Sequence, residues 1–304
     1  MMALDGRDIQ FKTRLPLRLK VRYDRRMTIA AGFMHTDGVL LCSDTQMEGG
    51  AIKFQAPKIG MFECVGGKLA FAIAGNVDFA ISAVQKISDH VKDLDAELVI
   101  PELEVVHERE YRRTVFEHPK YKSQADTLAY SLLVSFWSRS RNLVFLFMTH
   151  EHIVHACYGS EFIGIGFELA NVLTRPFYSD PLSEHDTLML AAYTLAQVKN
   201  NVPGCGGASM YVSMRHDGTA TPVTSIMVDQ IEHVAAPYDK ATRTLLFAMA
   251  GDNDDRLNKE LEEFAKHSRE LSEQWRKIRE ATPAIALYRR LTTAGSTPEP
   301  PSRA

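Results

Sequence analysis

Imbalance of charge is what this sequence lacks first: 35 Lys and Arg face 38 Asp and Glu, a formal net charge of −3. Without a basic excess there is no electrostatic footprint for nucleic acid as a main partner. Cysteine is also sparse. Cys42, Cys64, Cys157 and Cys205 lie far apart with no Cys-x-x-Cys pair. That argues against a disulfide scaffold and fits reduced thiols in a cytoplasmic protein. No apolar run approaches the roughly 18–20 residues that span a bilayer, so no membrane contact is expected. The leader has no apolar core of the kind a secretory signal requires. What is present is ordinary for a globular chain: 304 residues with 45% hydrophobic and 24% charged side chains.

Residues 1–27 differ from the rest. They carry Arg7, Lys12, Arg14, Arg18, Lys20, Arg22, Arg25 and Arg26 against Asp5, Asp8 and Asp24, and they read as a basic leader absent or disordered in the mature protein. From Thr28 the pattern turns to short strands. "TIAAGFMH" and "VLLCSD" flank an Asp37-Gly38 turn, and "KIGMFECV" and "KLAFAIA" flank Gly66-Gly67. A helix capped by Asn76 follows, with Val77, Ala80, Ile81, Val84, Ile87, Val91 and Leu94 at helical spacing. A charged helix is expected over 102–118. Three strands come next in "TLAYSLLVSFW", "NLVFLFM" and "HIVHACY", then helices near 167–175 and 184–200, the second opened by Ser183 with Asp186 three residues on. "ASMYVSM" and "PVTSIMV" read as the last strands. This order predicts an α+β fold of two antiparallel sheets with helices layered outside, within a domain spanning 28–250. Residues 251–282 form an amphipathic helix whose Leu257, Leu261, Phe264, Ser268, Leu271, Trp275 and Ile278 alternate in steps of four and three. That seam packs on its own domain or mates with a neighbouring subunit. The Pro/Ser/Thr-rich tail, 283–304, reads as disordered.

The strand–turn–strand of 28–44 returns the chain so that Asp44 lies near the start of the first strand, and a strand opening at Lys58 can sit beside it. A threonine hydroxyl is a poor nucleophile at neutral pH and needs a base. If Thr28 is the first residue, its own α-amino group, with a pKa of about 8, serves as that base. An ammonium on Lys58 would lower the pKa values of the amine and hydroxyl, and Asp44 would hold that lysine charged and oriented. Gly75 ends an apolar strand before a helix, where a bare backbone N–H can face a developing oxyanion. Together they make a minimal set for acyl transfer. Thr28 also has a plain reading, a β-branched residue that opens a strand.

The blocks "TIAAGFMHTDGVLLCSDT", "KIGMF" and "LAFAIAGNVDFA" resemble the opening of proteasome β subunits and the HslV-type peptidase. "FIGIGFELANVL" and "VPGCGGASMYVSMRHDG" resemble later segments of those families. The similarity spans roughly 28–230. It implies a four-layer αββα N-terminal-nucleophile (Ntn) hydrolase fold, a ring-like homo-oligomer, a peptide or protein substrate, and no metal or organic cofactor; whether an ATPase feeds it is left open. The resemblance places Thr28 on the nucleophile, Asp44 on the active-site aspartate, Lys58 on the lysine and Gly75 on the oxyanion glycine. Cys205, Gly206 and Ile165 fall on the active-site wall. Here the sequence departs: Ile165 replaces a serine between Gly164 and Gly166, Cys205 takes another serine's place, and the second aspartate has no clear match among Asn200, Asn201 and Val202. Met27 stands where self-processing precursors carry glycine. Translation starting at Met27, followed by methionine removal, would expose Thr28. A propeptide or a retained arm are the alternatives.

Two other signals carry less. His150, His152 and His155 in "THEHIVHAC" read as surface or edge histidines rather than metal ligands, because 150 and 152 share a strand face and 155 does not. "PGCGGAS" lacks the Gly-Lys-Ser/Thr of a phosphate loop. The expected function is therefore a threonine-type endopeptidase, with a catalytically silent ring subunit or a small-molecule Ntn amidase as alternatives.

Overall fold

The computed structural model describes residues 28–49, 52–178, 182–223, 225–235 and 254–281. The basic leader and the 283–304 tail lie outside the described residues. β1 (Ile29–His35) and β2 (Gly38–Asp44) form the expected hairpin, joined through Thr36 and Asp37. Gly38 closes that turn opposite His35, and Thr36 and Asp37 hold its two central positions. Its glycine serves close approach: a Cβ there would lie 2.1 Å from the Met214 carbonyl oxygen. A short hairpin, β3 (Gln46–Gly49) and β4 (Ile52–Gln55), follows without a sequence expectation behind it. β5 (Ile59–Cys64) and β6 (Gly67–Gly75) make the third hairpin.

α1 (Val77–Val91) begins at Asn76, whose side chain accepts a hydrogen bond from the Phe79 N–H, and it buries Ala80, Ala83, Ile87 and Val91. α2 (Ala96–Tyr111) starts earlier than the 102–118 expectation and runs into a π turn over Arg112–Phe116. After α3 (Tyr121–Leu128) come β7 (Tyr130–Ser138), β8 (Leu143–His150), β9 (Ile153–Cys157) and β10 (Ser160–Gly164). α4 (Phe167–Thr174) and α5 (Glu184–Asn201) follow, the second capped by Ser183 through the Asp186 N–H. β11 (Ser209–Arg215) and β12 (Ala220–Val223) close the strands. Residues expected to continue the last strand enter α6 (Ser225–Ala235) instead, with Val228 and Ile231 buried at helical spacing.

The strands form two five-stranded antiparallel sheets, ordered β10-β1-β2-β11-β12 and β5-β6-β7-β8-β9. Three apolar clusters show four layers. Ile29, Ala31, Phe33, Leu40 and Cys42 of the first sheet pack against α4, α5 and α6. Leu69, Phe71 and Ile73 of the second pack against α1 and α2. Ala30, Val39 and Leu41 meet Ala70, Ala72 and Ala74 between the sheets. Alternation along β6 therefore puts large residues under helices and alanines between sheets. The fold is the α+β sandwich of antiparallel sheets flanked by helices that the sequence predicts. α7 (Asp254–Ala281) packs on α6 and places Leu271 against the outer core, while Leu261 is 42% exposed.

Candidate active site

β1 and β2 set the geometry. Their register places Ala30 opposite Ser43, which carries Asp44 to the start of β1, beside Thr28. Thr28 is held from the far side by β10 and the residue after it: the Ile165 N–H donates to the Thr28 carbonyl at 2.9 Å. Gly164, at φ +93°, leaves no room for a side chain, because a Cβ would lie 2.2 Å from that same oxygen. Lys58 enters from the other sheet, immediately before β5, and its carbonyl accepts from the Ile73 N–H at 3.0 Å.

The three side chains meet in a buried spot. Thr28 is 3%, Lys58 2% and Asp44 0% exposed. Asp44 Oδ1 accepts from Thr28 Oγ1 at 2.7 Å, from Lys58 Nζ at 2.8 Å and from the Ile29 N–H at 3.2 Å. Its Oδ2 accepts from the Gly206 N–H at 2.9 Å. The Lys58 ammonium has three donors, and three acceptors surround it: Asp44, Thr28 Oγ1 and the Gln46 carbonyl. Burial lowers the Lys58 pKa from its ordinary value, with the Asp44 carboxylate opposing by charge and hydrogen bond. A lysine so placed reaches its neutral form more readily and can take a proton from the hydroxyl it touches.

Cys205 stands close to both charges. Its thiol is pushed up to about 12, foremost by burial, with Asp44 adding and Lys58 opposing. The buried thiol is thus held protonated. Gly206 meets Asp44 and Ile165 meets Thr28 through the backbone N–H in each case. Gly75 ends β6 at φ +90°, opposite Tyr130 and two residues beyond Ile73. The structure links Thr28, Asp44, Lys58, Gly206 and Ile165 by hydrogen bonds, brings Cys205 within electrostatic reach of Asp44 and Lys58, and sets Gly75 on the strand adjoining Lys58. Sequence reasoning missed the Gln46 carbonyl and the Ile29 N–H, which as main-chain groups leave no residue-type signal. Gly164 was visible only as part of a Gly-x-Gly segment. His150 and His152 do not share a strand, because a turn at Glu151 and His152 separates β8 from β9. Among the described residues no group of three His, Cys, Asp or Glu is placed to hold a metal, and no helix is long and apolar enough to cross a membrane.

Neither a protein-family model nor a curated protein matches the sequence. Solved structures do match. Among them are Anbu proteins. Anbu (ancestral beta-subunit) from Yersinia bercovieri shares 12% identity at a TM-score of 0.60, covering 74% of this chain and 100% of that one. Anbu from Hyphomicrobium sp. strain MC1 shares 14% at 0.59, covering 75% and 100%. The helical assembly of the Anbu complex from Pseudomonas aeruginosa shares 15% at 0.58, covering 71% and 96%. The resemblance to proteasome β subunits and the HslV-type peptidase is corrected here, since Anbu proteins are a distinct family. Identity this low establishes the shared fold alone. The strand-turn-strand block that suggested those families encodes the β1–β2 hairpin and its register, which a fold shares more widely than any one family.

Proposed function

We propose that this chain is a threonine-type N-terminal nucleophile hydrolase that cleaves amide bonds of peptides or proteins through an acyl-enzyme. The observation that carries the proposal is the buried Thr28 hydroxyl, donating to Asp44 while it accepts from Lys58. Thr28 Oγ attacks the carbonyl carbon and its proton passes to a base, either the freed Thr28 α-amino group or neutral Lys58. The Gly75 N–H faces the oxygen on which negative charge develops. The carbon–nitrogen bond then breaks, the amine leaves with the transferred proton, and an ester to Thr28 remains. Water, deprotonated by the same base, attacks that ester; the bond to Thr28 Oγ breaks, the acyl group leaves as a carboxylic acid, and the base returns its proton to Oγ. Exposure of the Thr28 amine and assembly with further copies of the chain belong to the same proposal. The Anbu complex from Pseudomonas aeruginosa, which shares this fold, forms a helical assembly.

A second reading has one observation in its favour. Thr28 is 3% exposed, as it would be in a subunit that keeps the fold for assembly and never frees its threonine. Intact mass and N-terminal sequencing of the purified protein separate the two readings, alongside hydrolysis of a peptide panel by wild type and Thr28→Ala. A terminus at Thr28 with activity lost in Thr28→Ala is the expected result. Hydrolysis that survives Thr28→Ala refutes the nucleophile.

A further inference from the structure

Asp44 takes one of its four hydrogen bonds from a glycine-rich loop. Residues 204–208 include Gly204 at φ +94° and Gly207 at φ +74°, and glycine-rich backbone gives up more conformational freedom on ordering than any other. The inner side of this loop serves the site. Gly206 donates its N–H to Asp44 Oδ2, and its carbonyl accepts from the Gln46 N–H at 3.0 Å. Ala208 accepts from the Thr45 N–H at 2.9 Å and from Thr45 Oγ1 at 3.0 Å.

The outer side faces a cleft of about 360 Å³ lined by Ala196, Lys199, Asn200, Gly206, Gly207 and Glu232. One cation bridges that space. Lys199 Nζ, on α5, donates to the Gly207 carbonyl at 3.3 Å, to Ser209 Oγ at 2.9 Å and to Glu232 Oε2 on α6 at 2.5 Å. Glu232 is fixed in turn by the Tyr211 hydroxyl of β11 at 3.3 Å. Both charged side chains are only 13% exposed, so solvent screens this pair far less than it does a surface bridge.

We infer that Lys199, held by Glu232 and by Ser209 of β11, is a positioning residue that clamps the 204–208 loop at the Gly207 carbonyl and so keeps the Gly206 N–H on Asp44. It touches none of the reacting groups. Its effect reaches Thr28 and Lys58 through the loop and Asp44, and it rests on the reading of those groups as the reacting ones.

Hydrogen–deuterium exchange of the 205–208 amides and steady-state peptide hydrolysis test this on one set of full-length variants: wild type, Lys199→Met, Lys199→Arg and Glu232→Gln. Loss of hydrogen bonds from a charged donor predicts exchange faster by about tenfold or more in Lys199→Met. It also predicts a kcat lower by about tenfold with KM within about twofold, because substrate binding does not use the clamp. Lys199→Arg restores most of both. Should Lys199→Met not fold, Glu232→Gln carries the same comparison. Unchanged exchange overturns the clamp, and faster exchange with unchanged kcat overturns its link to the site. If the wild type hydrolyses no peptide, the nucleophile reading falls, while the exchange arm alone still decides whether Lys199 holds the loop.

Discussion

Asparagine at position 44 keeps the volume of Asp44 and removes the charge that faces the buried Lys58 ammonium. Four donors point at the wild-type carboxylate. An amide offers one acceptor oxygen, so its NH₂ must confront either the Gly206 N–H or the donors at Oδ1. Removing one partner of a buried ion pair costs about 3–5 kcal/mol, which in a chain of this size lowers Tm by on the order of 10 °C. Lys58→Met strands the carboxylate in the same way and carries a cost of similar size. The double variant Asp44→Asn/Lys58→Met removes both charges and keeps the aliphatic stem. Its loss is expected to fall short of the summed single losses by about 3 kcal/mol. Thermal and denaturant unfolding followed by circular dichroism at pH 7 measures all four corners of the cycle. Additivity of the two single losses would refute the coupling. The pH dependence gives a second check with a fixed sign. Burial lowers the folded-state pKa of Lys58 from 10.5, so between those values the unfolded chain holds more protons. Wild-type stability therefore gains a contribution as pH rises through that window, complete above 10.5. Lys58→Met lacks that contribution.

Other perturbations follow from the same geometry. Gly164→Ala sets a Cβ 2.2 Å from the Thr28 carbonyl oxygen at a φ of +93°; backbone strain alone costs about 2 kcal/mol, and both Tm and hydrolysis are expected to fall. Native protein at pH 8 is expected to leave Cys205 unlabelled by iodoacetamide, since its thiol sits at about 12, and mass spectrometry after denaturation should show the label appear. His107 is fully buried, with its pKa lowered by burial to about 4 from the ordinary 6.5. The stability it contributes is complete above 6.5 and is lost as pH falls towards 4, about 3 kcal/mol in all. Urea unfolding of His107→Gln at pH 7 and pH 4 should show a smaller acid loss than wild type.

Legibility tracked burial. "TIAAGFMH" and "VLLCSD" become β1 and β2 with nearly every residue buried, and apolar runs of that length between turn signals announce themselves. Because the register follows from the hairpin, the meeting of Thr28 with Asp44 was readable in the same place. The 46–55 hairpin was not. Its described side chains are mostly half-buried or exposed, Phe54 at 46% among them, so no apolar alternation marks it. "PVTSIMV" misled in the opposite sense. Its β-branched residues favour a strand, yet tertiary packing wins after Val223, where α6 turns Val228 and Ile231 inward against α5 and β11. The Asp37-Gly38 pair pointed to the right hairpin for an incomplete reason, since Gly38 closes the turn while its lack of a side chain answers to β11.

The sequence departures weigh differently once the contacts are known. Asp44 collects partners 16, 14 and 162 positions away in the chain, and the most distant is a main-chain N–H. Cys205 stands where the resemblance placed a serine, but the donor to Asp44 is the neighbouring Gly206, whose N–H exists whatever side chain precedes it. Ile165 likewise replaces a serine, while its contribution is the N–H that fixes the Thr28 carbonyl. Substitutions that look disabling at the level of side chains therefore leave the main-chain frame of the site intact. They shift the demand to whatever holds that frame, and for the glycine-rich loop the cation at Lys199 meets it.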